Sequence, residues 1–74
     1  MIIHIVKYYL KLADSGFFDP VLCEINEDHG RLFANIDDND KVFLYCLACD
    51  FKIWLGINSI QDMFKSILIF ENYH

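Results

Sequence analysis

At the start of the chain, polar and hydrophobic positions follow a helical period. From His4 to Asp14 the polar residues recur at spacings of three and four, and apolar residues fill the positions between them. This pattern predicts an amphipathic helix over about residues 3–14, although the β-branched and aromatic residues at its beginning would also suit a buried strand. Gly16 follows, and glycine most readily adopts the left-handed conformation that ends a helix.

The middle of the chain differs, because short apolar runs alternate there with polar clusters. These runs predict strands over about residues 31–36, 41–46 and 51–55. The acidic cluster of residues 37–40 separates the first two strands and consists of residue types that favour turns. We therefore predict a hairpin that extends into a three-stranded antiparallel sheet over about residues 31–55.

A second helical pattern covers the last part of the chain. Asn58 or Ser59 is predicted to be its N-cap, with the Asp62 carboxylate near the positive end of the helix dipole. The apolar residues that follow predict a helix over about residues 59–72. The sequence thus predicts an α+β fold, with one domain formed by residues 1–74.

The chain carries more apolar residues than so small a core buries. Of its 74 residues, 55% are hydrophobic, and a folded domain of this size buries only about 63% of the surface of the unfolded chain. Domains this small usually need a metal, disulfides or a partner for stability. We expect the surplus apolar surface to contact a partner protein or a second copy of the chain, through these residues: Trp54, Ile69, Phe70 and Tyr73.

Charge and cysteine content narrow the classes of function. Eleven acidic residues against six basic ones give a net charge of −5, the wrong sign for neutralising phosphates, so we expect no nucleic acid as a partner. No apolar run approaches the length of a membrane span, about 18 residues, and no secretory signal is recognisable. Three cysteines are an odd number for a disulfide framework, which favours a reducing, cytoplasmic location.

The motif with the most chemical content is Cys46-Leu47-Ala48-Cys49, which lies between two predicted strands. Two thiols three residues apart in a tight turn face one ion, while the N–H groups of the turn point at the sulfurs. The segment LYCLACDFKIWLG resembles the second knuckle of zinc-ribbon and rubredoxin-like proteins, in which a Cys-x-x-Cys turn joins two strands. The resemblance implies that Cys46 and Cys49 are metal ligands and that the metal is zinc.

The first knuckle of the resemblance is degenerate. Zinc motifs of this kind place a second Cys-x-x-Cys about 15 to 20 residues upstream, but here Cys23 is followed by Asn26 where the fourth cysteine belongs. His29 is the predicted replacement, provided that the loop before it bulges outward, and it would complete a Cys₃His set. His4 and His74 are weaker candidates by position.

The three cysteines also allow other interpretations. Free cysteines are often buried as small hydrophobic residues, in which case the motif is a ribbon that has lost its ion. A thioredoxin-like redox pair would want the cysteines at the start of a helix, whereas extended residues follow them here. Zinc-dependent hydrolysis would need an open coordination position and a pocket, which a chain of this size hardly encloses.

No catalytic residues are predicted, because the serines lack an identifiable His–Asp arrangement. We expect a non-enzymatic, zinc-ribbon-like interaction module that is an accessory or structural subunit of a larger assembly. Residue types with AT-rich codons, such as Ile, Asn and Lys, are abundant, so a phage origin is a further hypothesis, with the protein in the virion or the host cytoplasm. The alternatives are a thiol redox or metal-dependent enzyme that uses Cys46 and Cys49, and an acidic phage inhibitor of a host enzyme.

Overall fold

In the computed structural model, which describes residues 2–73, one helix precedes a three-stranded antiparallel sheet along the chain and a second helix follows it. The elements in chain order are α1 (Ile2–Asp14), β1 (Phe33–Ile36), β2 (Val42–Tyr45), β3 (Lys52–Trp54) and α2 (Ile57–Tyr73). A short 3₁₀ helix, Glu27–His29, precedes β1. The predicted α+β class is confirmed, and so is the order of helix, sheet and helix.

The helix α1 ends as its sequence predicts. Gly16 has a φ of +93°, and its N–H donates to the carbonyl of Ala13 at 3.1 Å. The N–H of Phe17 donates to the carbonyl of Leu12 at 3.0 Å. Together these two bonds satisfy carbonyls that the last helical turn would otherwise leave unpaired. They require a positive φ at position 16, which glycine adopts without steric cost.

The strand order is β1-β2-β3, and the register alternates side chains between two faces of the sheet. Ala34 pairs with Leu44, and Leu44 pairs with Ile53. α1 packs on β1 and also contacts α2. The hydrophobic core lies where these elements meet. Its buried residues are Ile3, Val6, Leu10, Cys23, Leu32, Ala34, Val42, Leu44, Cys46 and Ile60.

The start of α2 corrects the predicted N-cap. The helix begins at Ile57, and the N–H of Ile60 donates to the carbonyl of Gly56 at 3.2 Å. Asn58 and Ser59 therefore lie inside the first turn and do not cap it. The reason is the short connection, because Leu55 still donates its N–H to Val42 across the sheet at 3.0 Å and the chain enters the helix almost at once.

The predicted hairpin turn between β1 and β2 is confirmed, and Asp37 organises it. Its carboxylate accepts the backbone N–H groups of Asn39 at 2.8 Å and Lys41 at 3.0 Å, and the indole N–H of Trp54 at 3.0 Å. These donors, that of Lys41 foremost, hold the pKa of the Asp37 carboxyl below its ordinary value. The same carboxylate thus fixes the turn and the Trp54 ring on β3.

The ionised form of Asp37 is expected to stabilise the fold. Because its pKa is lowered on folding, this contribution is complete above the ordinary value of 3.8 and is lost as the pH falls through the lower folded-state pKa. We expect Asp37→Asn to lower the midpoint of thermal unfolding at about pH 7 and to weaken its acid dependence below about pH 4. The exposed neighbour Asp38, changed to Asn, is the matched control. Circular dichroism melts compare the two variants, and equal midpoints would contradict the role of Asp37.

Three of the four residues predicted to contact a partner are exposed. Trp54 is 51% exposed, Ile69 60% and Tyr73 80%. Phe70 is instead half-buried, because its ring packs against Phe17 with the centroids 4.8 Å apart. Exposed apolar and aromatic residues therefore hint at an interaction surface. Among residues 2–73, no helix combines the length and apolar character needed to cross a bilayer.

Candidate metal centre

The four side chains predicted as metal ligands converge on one point. The ligand atoms of Cys23, His29, Cys46 and Cys49 all lie within 4.8 Å of one another. The Sγ atoms of Cys23 and Cys49 are 3.6 Å apart, and the Sγ of Cys46 is 3.7 Å from the Nδ1 of His29. Cys23 and Cys46 are buried, whereas the other two are half-buried. All three cysteines are free thiols.

The first knuckle is built on a small pairing that precedes β1. Leu22 and Arg31 form an isolated antiparallel bridge, and the N–H of Cys23 donates to the carbonyl of Gly30 at 3.2 Å. These contacts hold the two ends of the intervening loop together. Cys23 therefore lies at the start of this loop, next to Leu22, and His29 lies near its end, before Arg31.

The loop between these two ligands is closed by its own hydrogen bonds. The side chain of Asn26 accepts the N–H of Asp28 at 3.0 Å and caps the 3₁₀ helix Glu27–His29. Gly30 then takes a φ of +85° and donates its N–H to the carbonyl of Glu27 at 3.0 Å. Asn26 is therefore not a ligand: it shapes the turn that carries His29 to the cluster.

The second knuckle is the tight turn between β2 and β3. The N–H of Cys46 donates to the carbonyl of Phe51 at 3.1 Å, which closes the turn. Inside it, the N–H of Ala48 donates to the Sγ of Cys46 at 3.3 Å. The backbone N–H of Phe51 makes the corresponding contact with Cys49. The prediction that turn N–H groups point at the sulfurs is thus confirmed.

Two distances within the cluster suit a tetrahedral zinc ion. Bond lengths of about 2.3 Å to sulfur and about 2.0–2.1 Å to nitrogen place two sulfurs about 3.8 Å apart, and a sulfur and a nitrogen about 3.5 Å apart. The separations of 3.6 Å between Cys23 and Cys49 and 3.7 Å between Cys46 and His29 are close to these values, and all four ligand atoms lie within 4.8 Å of one another. The donor set, Cys₃His, is one of those that close structural zinc sites.

The thiols of the cluster differ in acidity. Burial raises the pKa of Cys23, but the N–H groups of Asn26 and Ile25, with the side chains of His29 and Cys49, outweigh it and lower the pKa to about 6. The N–H of Phe51 lowers the pKa of Cys49. Burial and the neighbouring thiols together raise that pKa by more, so that it lies above its ordinary value. The cluster thus stabilises a first thiolate and resists a second, as an uncompensated group of anionic ligands does.

The structure brings together all four predicted ligands. His4 is exposed on α1 and outside the cluster, and His74 lies outside the described residues. The 3₁₀ helix before Gly30 was missed, although an Asn followed by two acidic residues is a recognisable capping signal.

Comparison with known proteins adds no relative. No protein-family model, no curated protein and no solved structure matches this chain.

Proposed function

We propose that this protein is a small, non-enzymatic, zinc-ribbon-like module in which one zinc ion holds two knuckles together. The observation that carries the proposal is the convergence of three sulfurs and one imidazole within 4.8 Å. These donors come from chain segments far apart in sequence, on either side of β1. A shared ion would cross-link the loop before the sheet to the turn between its last two strands.

The donor set favours a structural ion over a catalytic one. Catalytic zinc sites keep a position open for water or substrate, whereas four protein ligands fill a tetrahedron. The N–H groups directed at the sulfurs also stabilise thiolates in place, which is typical of a rigid site. The half-buried location of His29 and Cys49 leaves a path by which the ion can enter.

The ion would supply stability that the polypeptide lacks. Between α1 and β1 the regular secondary structure is limited to the bridge of Leu22 with Arg31 and the short 3₁₀ helix. Because the four ligands come together only in the folded chain, the free energy of zinc binding would add to the free energy of unfolding. The exposed aromatic and apolar residues then support a role in binding a partner, as an accessory subunit. The phage origin stays a prediction.

Metal content tests the proposal directly. We expect the purified protein to contain one zinc ion per chain by elemental analysis. Replacement by Co²⁺ should give visible absorption of the intensity that tetrahedral coordination produces, with sulfur-to-cobalt charge transfer from three thiolates. Loading of the metal-free protein with either ion should release protons, because the thiols bind metal as thiolates. A folded protein that binds neither ion would contradict the proposal.

One observation favours a second candidate, a thiol redox function. The Sγ atoms of Cys23 and Cys49, which are 26 residues apart in the sequence, lie 3.6 Å from each other. A small movement would allow these two to form a disulfide, with a bond of about 2.05 Å. If the protein lacks zinc and the pair titrates near the cytosolic potential of about −220 to −320 mV, the redox function replaces the structural one.

A further inference from the structure

The three cysteines of the cluster differ in their access to solvent. Cys23 is 1% exposed and Cys46 is 6% exposed, whereas Cys49 is half-buried. A groove of about 530 Å³ opens beside Cys46 and Cys49, with polar residues such as Asn35 and Lys52 in its lining. A small polar molecule can therefore approach the cluster through this groove, and Cys49 is the most accessible of the three cysteines.

The sulfur of Cys49 has a second sulfur beside it. The Sγ of Cys23 lies 3.6 Å away, in van der Waals contact. Cys23 precedes Cys49 by 26 residues, so this contact joins the loop before β1 to the turn between β2 and β3. These are the two segments that a shared zinc ion would join. A disulfide between Cys23 and Cys49 would thus replace the zinc cross-link by a covalent one.

The sulfur of Cys46 has different neighbours. It accepts the N–H of Ala48 at 3.3 Å and lies 3.7 Å from the Nδ1 of His29. A disulfide between Cys46 and Cys49 would join two residues of one tight turn and would leave the loop that carries Cys23 unattached. The geometry therefore favours Cys23 as the disulfide partner of Cys49, because these sulfurs are in contact and their bond preserves the cross-link.

We propose that Cys49 is a site of oxidation by hydroperoxides and forms a disulfide with Cys23, with release of the zinc ion. The proposal rests on the proposed function, since it starts from the zinc-loaded cluster. Zinc holds its cysteine ligands as thiolates, which is the form of cysteine that reacts with oxidants. Cysteines that sense peroxide are accessible and have a second cysteine within reach, as Cys49 does.

The reaction consumes one hydroperoxide per disulfide. The Cys49 thiolate attacks the terminal oxygen of the peroxide, the O–O bond breaks, and the other oxygen leaves as an alcohol or as water after it takes up a proton. The Cys23 thiolate then attacks the sulfur of the sulfenic acid formed on Cys49. The S–S bond forms, the S–O bond breaks, and a second proton is taken up to release water. Two thiolates thus lose two electrons, which the peroxide gains.

The oxidised cluster would no longer hold the ion. Cys46 and His29 remain as two donors, whereas closed structural zinc sites use four. The disulfide nevertheless keeps the loop before β1 attached to the turn between β2 and β3. We therefore expect a metal-free but folded oxidised form, in contrast to the reduced chain without metal.

The test uses the full chain, purified with zinc, and hydrogen peroxide as the probe. We expect release of about one zinc ion per chain, measured with a chromogenic chelator, together with loss of about two free thiols per chain. A dithiol reductant followed by added zinc should restore both. After chelation, the oxidised protein should keep its folded circular dichroism spectrum, whereas the reduced protein, the matched control, should lose it.

Mass spectrometry locates the bond. Trypsin separates the cysteines into two peptides, residues 12–31 with Cys23 and residues 42–52 with Cys46 and Cys49. Cleavage by chymotrypsin between the last two cysteines then assigns the linked sulfur. We expect the bond to join Cys23 to Cys49. Dimedone, which traps sulfenic acids, should label Cys49 before the other two.

Two matched variants keep a closed donor set. Cys₂His₂ is a standard structural zinc set, so Cys49→His and Cys46→His should both retain zinc. Cys49→His removes the proposed site of oxidation and should slow the release of zinc by peroxide about tenfold or more, whereas Cys46→His should release it as the parent does. If either variant does not fold, the mapping of the disulfide in the parent protein still decides.

Four outcomes would overturn the proposal: retention of zinc and thiols in excess peroxide, a disulfide between Cys46 and Cys49, equal rates of zinc release from the two histidine variants, and unfolding of the oxidised protein on chelation. Each of these can occur in a protein that binds zinc, so each leaves the proposed function standing. A protein purified without zinc would overturn both proposals, and elemental analysis shows this before peroxide is added.

Discussion

Chelation of the metal is expected to unfold this protein. Structural zinc contributes about 10 to 16 kcal/mol of apparent binding free energy in small zinc domains. The whole free energy of unfolding of a natural domain is only about 5 to 15 kcal/mol. Removal of the ion should therefore leave an unfolded or molten chain. Far-ultraviolet circular dichroism and amide NMR spectra, recorded before and after addition of a chelator and again after zinc is restored, measure this.

Substitution of one ligand should reproduce the effect of chelation. Cys46→Ser removes a thiolate from the cluster, so we expect loss of zinc and of the folded spectrum. Ala48→Ser is the control, because it introduces the same side chain at an exposed position of the same turn. If Cys46→Ser keeps the fold and the unfolding midpoint of the parent, the cysteines serve only as packing residues.

His29 is tested by a substitution that keeps the coordination closed. Cys₄ is also a standard structural zinc set, so His29→Cys should retain the ion and the fold, whereas His29→Ala should weaken both. The two variants separate a ligand from a residue that merely packs in the loop. Retention of full zinc affinity by His29→Ala would exclude the imidazole as the fourth ligand.

The second large effect is expected at the contact between α1 and the sheet. Leu10 is 3% exposed and belongs to the core. Its truncation removes buried methyl groups and leaves a cavity, which costs about 2 to 5 kcal/mol in protein cores. We therefore expect Leu10→Ala to lose a large part of the stability of the zinc-loaded protein, measured by urea unfolding at a fixed excess of zinc.

Leu68→Ala is the matched control for this prediction. Leu68 is 48% exposed on α2, so the same truncation removes little buried surface and should cost well under about 1 kcal/mol. An equal loss in the two variants would mean that the exposed side of α2 is covered in solution, by a second copy or by another contact. The comparison thus also tests whether the surplus apolar surface has a partner.

The fold was largely predictable because its signals are local. Polar spacing from His4 to Asp14 identified α1, and the turn-forming cluster before Lys41 identified the hairpin. The cap of α2 was not predictable in this way. Asn58 and Ser59 are good capping residues, but the two-residue connection from β3 starts the helix before either of them.

The candidate site was predictable in part. Cys-x-x-Cys spacing in a turn places Cys46 and Cys49 together whatever the rest of the chain does. The position of His29 depends on a 3₁₀ helix and on the pairing of Leu22 with Arg31, which are interactions within a folded loop. The resemblance to a zinc ribbon suggested the residue, but only the path of the loop brings its imidazole to the sulfurs.

The sequence by itself determined the order of helix, sheet and helix and the Cys-x-x-Cys turn, because these depend on neighbours in the chain. It also determined the excess of apolar and acidic residues, which is a matter of composition. Only the tertiary structure decided that four distant ligands meet, and that the sulfurs of Cys23 and Cys49 lie 3.6 Å apart. The physical reason is that strand register and loop closure set distances between residues remote in sequence, and composition does not contain those distances.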